Sequence, residues 1–173
     1  MAFDNHDKIP VAYATPSLGM HPSPTLELKL EAASKAGFQG VEIGFDDLVS
    51  HADRHNPGFK GEEDLPTLLK SASEISRDLC SKLHLEIICL QPFQDFEGAT
   101  ETKEREARFA KAKKYLAIMN NLGTTMLQVG STDNTSTSGD KELRVIWPSC
   151  AILQRRRIRH VKSLTSHGVG AHI

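Results

Sequence analysis

Four short apolar runs, beginning near Val11, Val41, Leu85 and Thr125, are separated by stretches long enough to hold whole helices, and this spacing constrains the fold more than any other feature. In the intervals, Leu26, Leu30 and Ala33 recur at helical spacing, as do Leu65, Leu68, Leu69, Ala72, Leu79 and Leu83, and then Phe109, Ala112, Leu116 and Met119. Strands separated by helices cannot pair as hairpins, so a parallel sheet covered by helices is expected, with Val11, Ile43, Ile87 and Leu127 buried between the layers. Right-handed crossovers then bring the loops that follow the strands to one edge of the sheet, where α/β folds bind their ligands. Ser23 with Pro24 reads as the start of the first helix, and Gly37 and Gly123 read as helix stops. The polar stretch 46–63 reads as a long loop, and the third strand reads as ending at Gln91-Pro92.

With 173 residues, 39% hydrophobic and 25% charged, the composition is that of a globular domain and excludes disorder, collagen and coiled coil for the chain as a whole. No run approaches the ~18 consecutive apolar residues of a membrane span, and residues 1–10 are too polar for a signal-peptide core, so a cytoplasmic protein with no membrane partner is expected. Cys80, Cys89 and Cys150 show no CxxC spacing, which argues against a disulfide framework or cysteine zinc site, and Cys80 and Cys89 read as buried packing groups.

Charge divides the chain. Residues 1–140 carry 14 Lys and Arg against 21 Asp and Glu, a balance of −7, whereas residues 141–173 carry 7 against 1, a balance of +6, with the only tryptophan, Trp147. The run from Arg155 to His160 lacks interleaved aromatics, so nucleic acid is not an expected partner. A disordered tail and an out-of-frame or mis-spliced translation remain as readings of residues 141–173, and the simultaneous change of composition and charge favours the second.

The phrase Leu90-Gln-Pro-Phe-Gln-Asp-Phe-Glu-Gly98, preceded by Ile87-Ile-Cys89, resembles the third-strand signature of 3-dehydroshikimate dehydratases in the sugar phosphate isomerase/epimerase (xylose isomerase-like TIM barrel) superfamily. Thr15-Pro-Ser-Leu-Gly19 resembles the end of its first strand, Lys29-Leu-Glu-Ala-Ala33 with Ala36-Gly-Phe-Gln-Gly-Val-Glu-Ile43 its first helix and second strand, and Leu122-Gly123 with Leu127-Gln-Val129 its fourth strand. The resemblance covers residues 10–138 and implies the first half, about four βα units, of a (βα)8 barrel, with residues 1–140 as that half and 141–173 as an atypical tail. It implies a divalent metal at the barrel mouth and a lyase that converts 3-dehydroshikimate to protocatechuate in quinate or shikimate breakdown. The family's metal ligands lie on later strands without counterpart here, so a truncated, impaired enzyme is expected, acting on a small hydroxylated cyclic or sugar-like molecule. Gln94 stands where the dehydratases usually carry an Arg, which weakens any clamp on a substrate carboxylate. A non-catalytic remnant that self-associates through open strand edges, and a sugar isomerase or epimerase of the same superfamily, are the competing readings.

Within that frame Glu42, Gln91, Gln128 and Ser17 are the candidate substrate-side residues, against a structural hydrogen bond from Glu42 to a neighbouring strand or loop and a loop-anchoring role for Gln91. Glu42 alternates with Val41 and Ile43 and so faces inward, Gln91 lies at the carboxyl end of the third strand, Gln128 alternates inward on the fourth, and Ser17 sits at the mouth of the first. His51 and His55, four apart and near Asp53, could suggest a metal pair on one helix turn, but in the expected loop the spacing carries little and the resembled family puts no ligands there, so they read as surface histidines. Asp46, Asp47 and Glu97 read as caps or solvated charges. The Ser/Thr/Gly segment 131–138 lacks the arrangement of a P-loop.

Overall fold

The computed structural model describes residues 10–19, 23–96, 98–99 and 101–130. Strands β1 (Ala12–Ala14), β2 (Gly40–Gly44), β3 (Glu86–Phe93) and β4 (Met126–Val129) form one sheet in the order β1-β2-β3-β4, and every neighbouring pair is parallel. Helices α1 (Leu26–Lys35), α2 (Phe45–His55), α3 (Leu65–Glu74) and α4 (Thr102–Leu122) connect them. Sequential order with parallel pairing is the arrangement of consecutive βα units in a barrel.

Alternation along β2 explains the layering. Val41 and Ile43 are buried against the helices, while Glu42 between them faces away. The core joins these two residues to Leu90 of β3, Leu30 of α1, Leu68 of α3 and Ile118 of α4. Burying a Leu or Ile side chain stabilises by about 1.5 to 3 kcal/mol each, and these residues are essentially inaccessible to water. Helix α4 buries Ala112, Tyr115, Ile118, Met119 and Leu122, a stripe at helical spacing, and ends at Gly123, whose φ of 78° is left-handed.

Several expectations need correction. Helix α1 starts at Thr25 rather than Ser23, because the Thr25 hydroxyl accepts from the Leu28 N–H. The stretch read as one long loop begins with α2, whose Phe45, Leu48 and Ala52 are buried at helical spacing and whose acidic first turn and basic last turn both suit the helix dipole. Strand β3 continues through the cis Gln91-Pro92 bond to Phe93. Ile43 and Ile87 are buried as expected and Leu127 packs against the core, but Val11 is 49% exposed: it precedes β1, and only its backbone is engaged, with Gln39 and Gly40. Helix α3 passes into a π-helical turn, Ile75–Cys80, in which Ser81 N–H reaches back to Ser76 O, something no sequence period announces. Residues 131–173, including Cys150 and the basic segment, and also Glu97, lie outside the described residues. No helix of the described residues is long and apolar enough to cross a membrane.

Candidate functional site

The carboxyl edge of the sheet is organised by a buried polar chain. Thr15, at the end of β1, donates its hydroxyl to Asp47 Oδ2 at 2.6 Å and accepts from the Gly44 N–H at 2.9 Å. Asp47 Oδ1 in turn meets Lys29 Nζ at 2.7 Å. The Lys29 head is therefore neutralised where it is buried, as a desolvated ammonium requires. Asp47 is thus an internal partner, not the solvated charge expected from its sequence context. The chain ties the loop after β1, the start of α2 and the first half of α1 into one unit. It leaves beside it a cavity of about 400 Å³, into which Lys29, Asp47, Arg54, Gln91 and Gln94 contribute.

Gly44 makes this closeness possible. A Cβ there would lie 2.7 Å from Pro16 Cγ and 3.0 Å from Asp47 Oδ2, so a side chain would drive the two loops apart.

On the face of the sheet opposite the helices, Gln91 Nε2 donates to Glu42 Oε2. The two residues sit on adjacent strands, Glu42 level with Cys89 and Gln91 level with Gly44. Burial pushes the Cys89 thiol above its ordinary range and the Glu42 carboxylate pushes it further, against a backbone hydrogen bond from Gln128, so Cys89 is a protonated packing group. Gln128 is exposed on β4, and Ser17 is exposed in the 3₁₀ turn Thr15–Leu18; among the described residues no hydrogen bond joins either side chain to Glu42 or Gln91. Of the four candidates the structure brings two into contact. Thr15 and Lys29, which sequence reasoning passed over, hold the neighbouring wall. Both lie in stretches that resemble the superfamily, residues 15–19 and 29–33, but neither residue type by itself marks a site.

A second cluster lies in the helical layer. Glu27 Oε1 is 2.7 Å from His51 Nδ1 and 2.9 Å from His55 Nε2, while Arg54 approaches the other carboxylate oxygen at 3.7 Å. Burial works to raise the Glu27 carboxyl, but the Thr25 hydroxyl, the helix backbone, His55 and His51 outweigh it and hold Glu27 down at about 2. Burial also lowers His51, against the pull of Glu27. The two histidines are therefore not separate surface groups in a loop. They share one face of α2, and His51 is buried.

The divalent metal that the family resemblance implies does not fit the mouth as the described residues build it. Glu42 is bonded to Gln91 and Asp47 to Lys29, and among the described residues no further imidazole, thiolate or carboxylate converges with them; the one convergent set is Glu27, His51 and His55.

No family model matches the chain. Among curated proteins it is similar to the 3-dehydroshikimate dehydratase of Neurospora crassa, 30% identical over 108 residues, which covers 61% of this chain and 30% of that protein. It is also similar to the 3-dehydroshikimate dehydratases of Pseudomonas aeruginosa, 37% identical over 122 residues, and Pseudomonas putida, 32% identical over 123 residues; these cover 70% and 71% of this chain and 16% of each relative. The chain thus spans less than a third of the length of the curated relatives it matches. Among solved structures, a xylose isomerase-like TIM barrel/4-hydroxyphenylpyruvate dioxygenase fusion protein superposes with a TM-score of 0.56 at 29% identity, over 78% of this chain and 19% of that one.

Proposed function

We propose that this chain, which belongs to the xylose isomerase-like TIM-barrel superfamily and is related to the 3-dehydroshikimate dehydratases, forms the substrate-facing wall of a 3-dehydroshikimate dehydratase. The reaction removes a proton beside a ketone and expels a hydroxyl as water, and the aromatic product drives it. The observation that carries the reading is the Glu42–Gln91 pair, on adjacent strands, on the face away from the helices, within stretches that resemble the dehydratases and their superfamily. Bonding to Gln91 Nε2 holds both side chains in register and leaves Glu42 Oε1 and Gln91 Oε1 as acceptors for ring hydroxyls. Arg54 lines the adjoining cavity with Gln94, but it already faces Glu27 at 3.7 Å, so the cation usual in the dehydratases is not replaced one for one. The metal ligands that the family resemblance implies are not assembled by the described mouth residues, and impaired turnover by this chain is part of the proposal.

Heteronuclear NMR tests the reading. Titration of 3-dehydroshikimate into the labelled chain is expected to shift the Gln91 side-chain amide, and Glu42→Ala is expected to abolish that shift while leaving the fold intact. An amide signal unmoved at millimolar ligand would refute it. Protocatechuate, followed by its ultraviolet absorbance with added divalent metal, is not expected to accumulate.

One observation favours a second reading, self-association of a non-catalytic chain. Met126 on β4 is 55% exposed and Val11 beside β1 is 49% exposed; these are the two outer strands of the sheet among the described residues, and an open strand edge invites pairing with another chain. Sedimentation velocity would show a concentration-dependent dimer that Met126→Lys weakens; a monomer at all concentrations would remove this reading.

A further inference from the structure

We propose that Glu27, His51 and His55 form a binding site for a zinc-class transition-metal ion, which clamps α1 to α2 in the helical layer. The donors already converge. Three ligand atoms, one carboxylate oxygen and two imidazole nitrogens, lie within 4.8 Å of one another. Two imidazoles with one carboxylate are a donor set that suits zinc and its first-row neighbours better than the hard cations, which prefer all-oxygen sites.

The geometry requires little rearrangement. A tetrahedral zinc with bonds of about 2.0 to 2.2 Å separates its ligand atoms by roughly 3.4 Å. Glu27 Oε1 is 2.7 Å from His51 Nδ1 and 2.9 Å from His55 Nε2, so these pairs open by about 0.7 and 0.5 Å as the ion takes the place of the ring protons, while the two imidazole nitrogens, within 4.8 Å of each other, draw together. The histidines are placed for this by α2 itself: residues four apart face the same way, and their ring centroids are 4.4 Å apart. His51 is buried and so fixed in direction, whereas His55 is half exposed and gives a route of entry. Arg54 engages Glu27 Oε2, the oxygen that the ion does not need. Glu74 and Asp78 line the same groove, of about 380 Å³, and add negative charge beside the site; His51 already feels the Glu74 charge. A three-residue set also leaves one coordination position for water.

The test uses the full chain without an affinity tag of histidines. Zinc chloride is titrated by calorimetry, and cobalt chloride by visible absorption, which reports four-coordinate geometry directly. His55→Gln, at a half-exposed position, and Glu27→Gln are compared after circular dichroism has confirmed that each folds without metal. The expected result is one ion bound at this site per native chain, intense cobalt bands, and a rise in melting temperature with zinc. Each substitution should weaken binding about tenfold or more and remove the cobalt bands. Zinc affinity unchanged in both variants would place the ion elsewhere in the chain and overturn the proposal, as would a cobalt spectrum that stays that of the hydrated ion.

Discussion

Replacing Lys29 by Met tests the polar chain under the carboxyl edge most directly. The Lys29 side chain is 3% exposed and the Asp47 side chain 16%, with 2.7 Å between Nζ and Oδ1. At an effective dielectric constant of about 20, the attraction at this distance is on the order of 6 kcal/mol before desolvation is set against it. The net value of the pair is much smaller, yet removing one partner strands the other, which costs about 3 to 5 kcal/mol in buried pairs. Asp47 would keep its bond from Thr15 and some contact with water, which places Lys29→Met near the lower bound, about 3 kcal/mol; Met preserves the apolar stem and so adds little cavity cost. Against a domain stability of about 5 to 15 kcal/mol this leaves a folded variant that can be measured. Urea unfolding followed by circular dichroism should show a lower midpoint at unchanged slope. The double variant with Asp47→Asn should lose less than the sum of the single changes, by at least about 1 kcal/mol, since the stranded charge has gone. A loss below about 1 kcal/mol for Lys29→Met, or strict additivity, would refute the idea that the pair is a coupled buried unit.

Three further outcomes follow from the same geometry. Gly44→Ala should destabilise by about 1 to 3 kcal/mol in urea melts, because its Cβ would meet Pro16 at 2.7 Å; an unchanged midpoint would mean the loops yield freely. Stability should fall on acidification in two stages, because both groups have lower pKa values in the folded state. The His51 contribution is complete above its unfolded value of 6.5 and declines below it, and the Glu27 contribution declines from 4.5 towards about 2; His51→Asn should remove the upper stage from a pH series of urea midpoints. Burial pushes the Cys80 thiol up to about 12, so a disulfide reagent at pH 8 should modify it only in urea, as mass spectrometry of the peptide would show.

The alternation of β with α was legible because each strand and helix advertises itself within about ten residues: Val41 and Ile43 flank Glu42, and Ala112, Met119 and the stop at Gly123 mark α4. Helix α2 carries the same kind of signal in Phe45, Leu48 and Ala52, but seven of its eleven residues are Asp, Arg, His or Ser, and such polarity reads as a loop. The polarity itself is a consequence of tertiary partners. Asp47 is there for Lys29, 18 residues back, and His51 for Glu27, 24 residues back, and no local period encodes such pairings. For the same reason Thr15 was passed over in favour of the exposed Ser17, whereas Glu42 and Gln91 could be singled out because strand alternation and the strand end are local properties.

The close approach of Pro16 to Gly44 bears on how such a barrel could be re-engineered. Loops at a barrel mouth are often treated as independently exchangeable parts. Here the backbone amide of Gly44 is held by Thr15, and no side chain fits between Gly44 and Pro16. Swapping either loop alone between related barrels would import a clash or orphan a donor, so the two loops, with the Lys29 that neutralises Asp47 beneath them, would have to be transplanted as a single cassette.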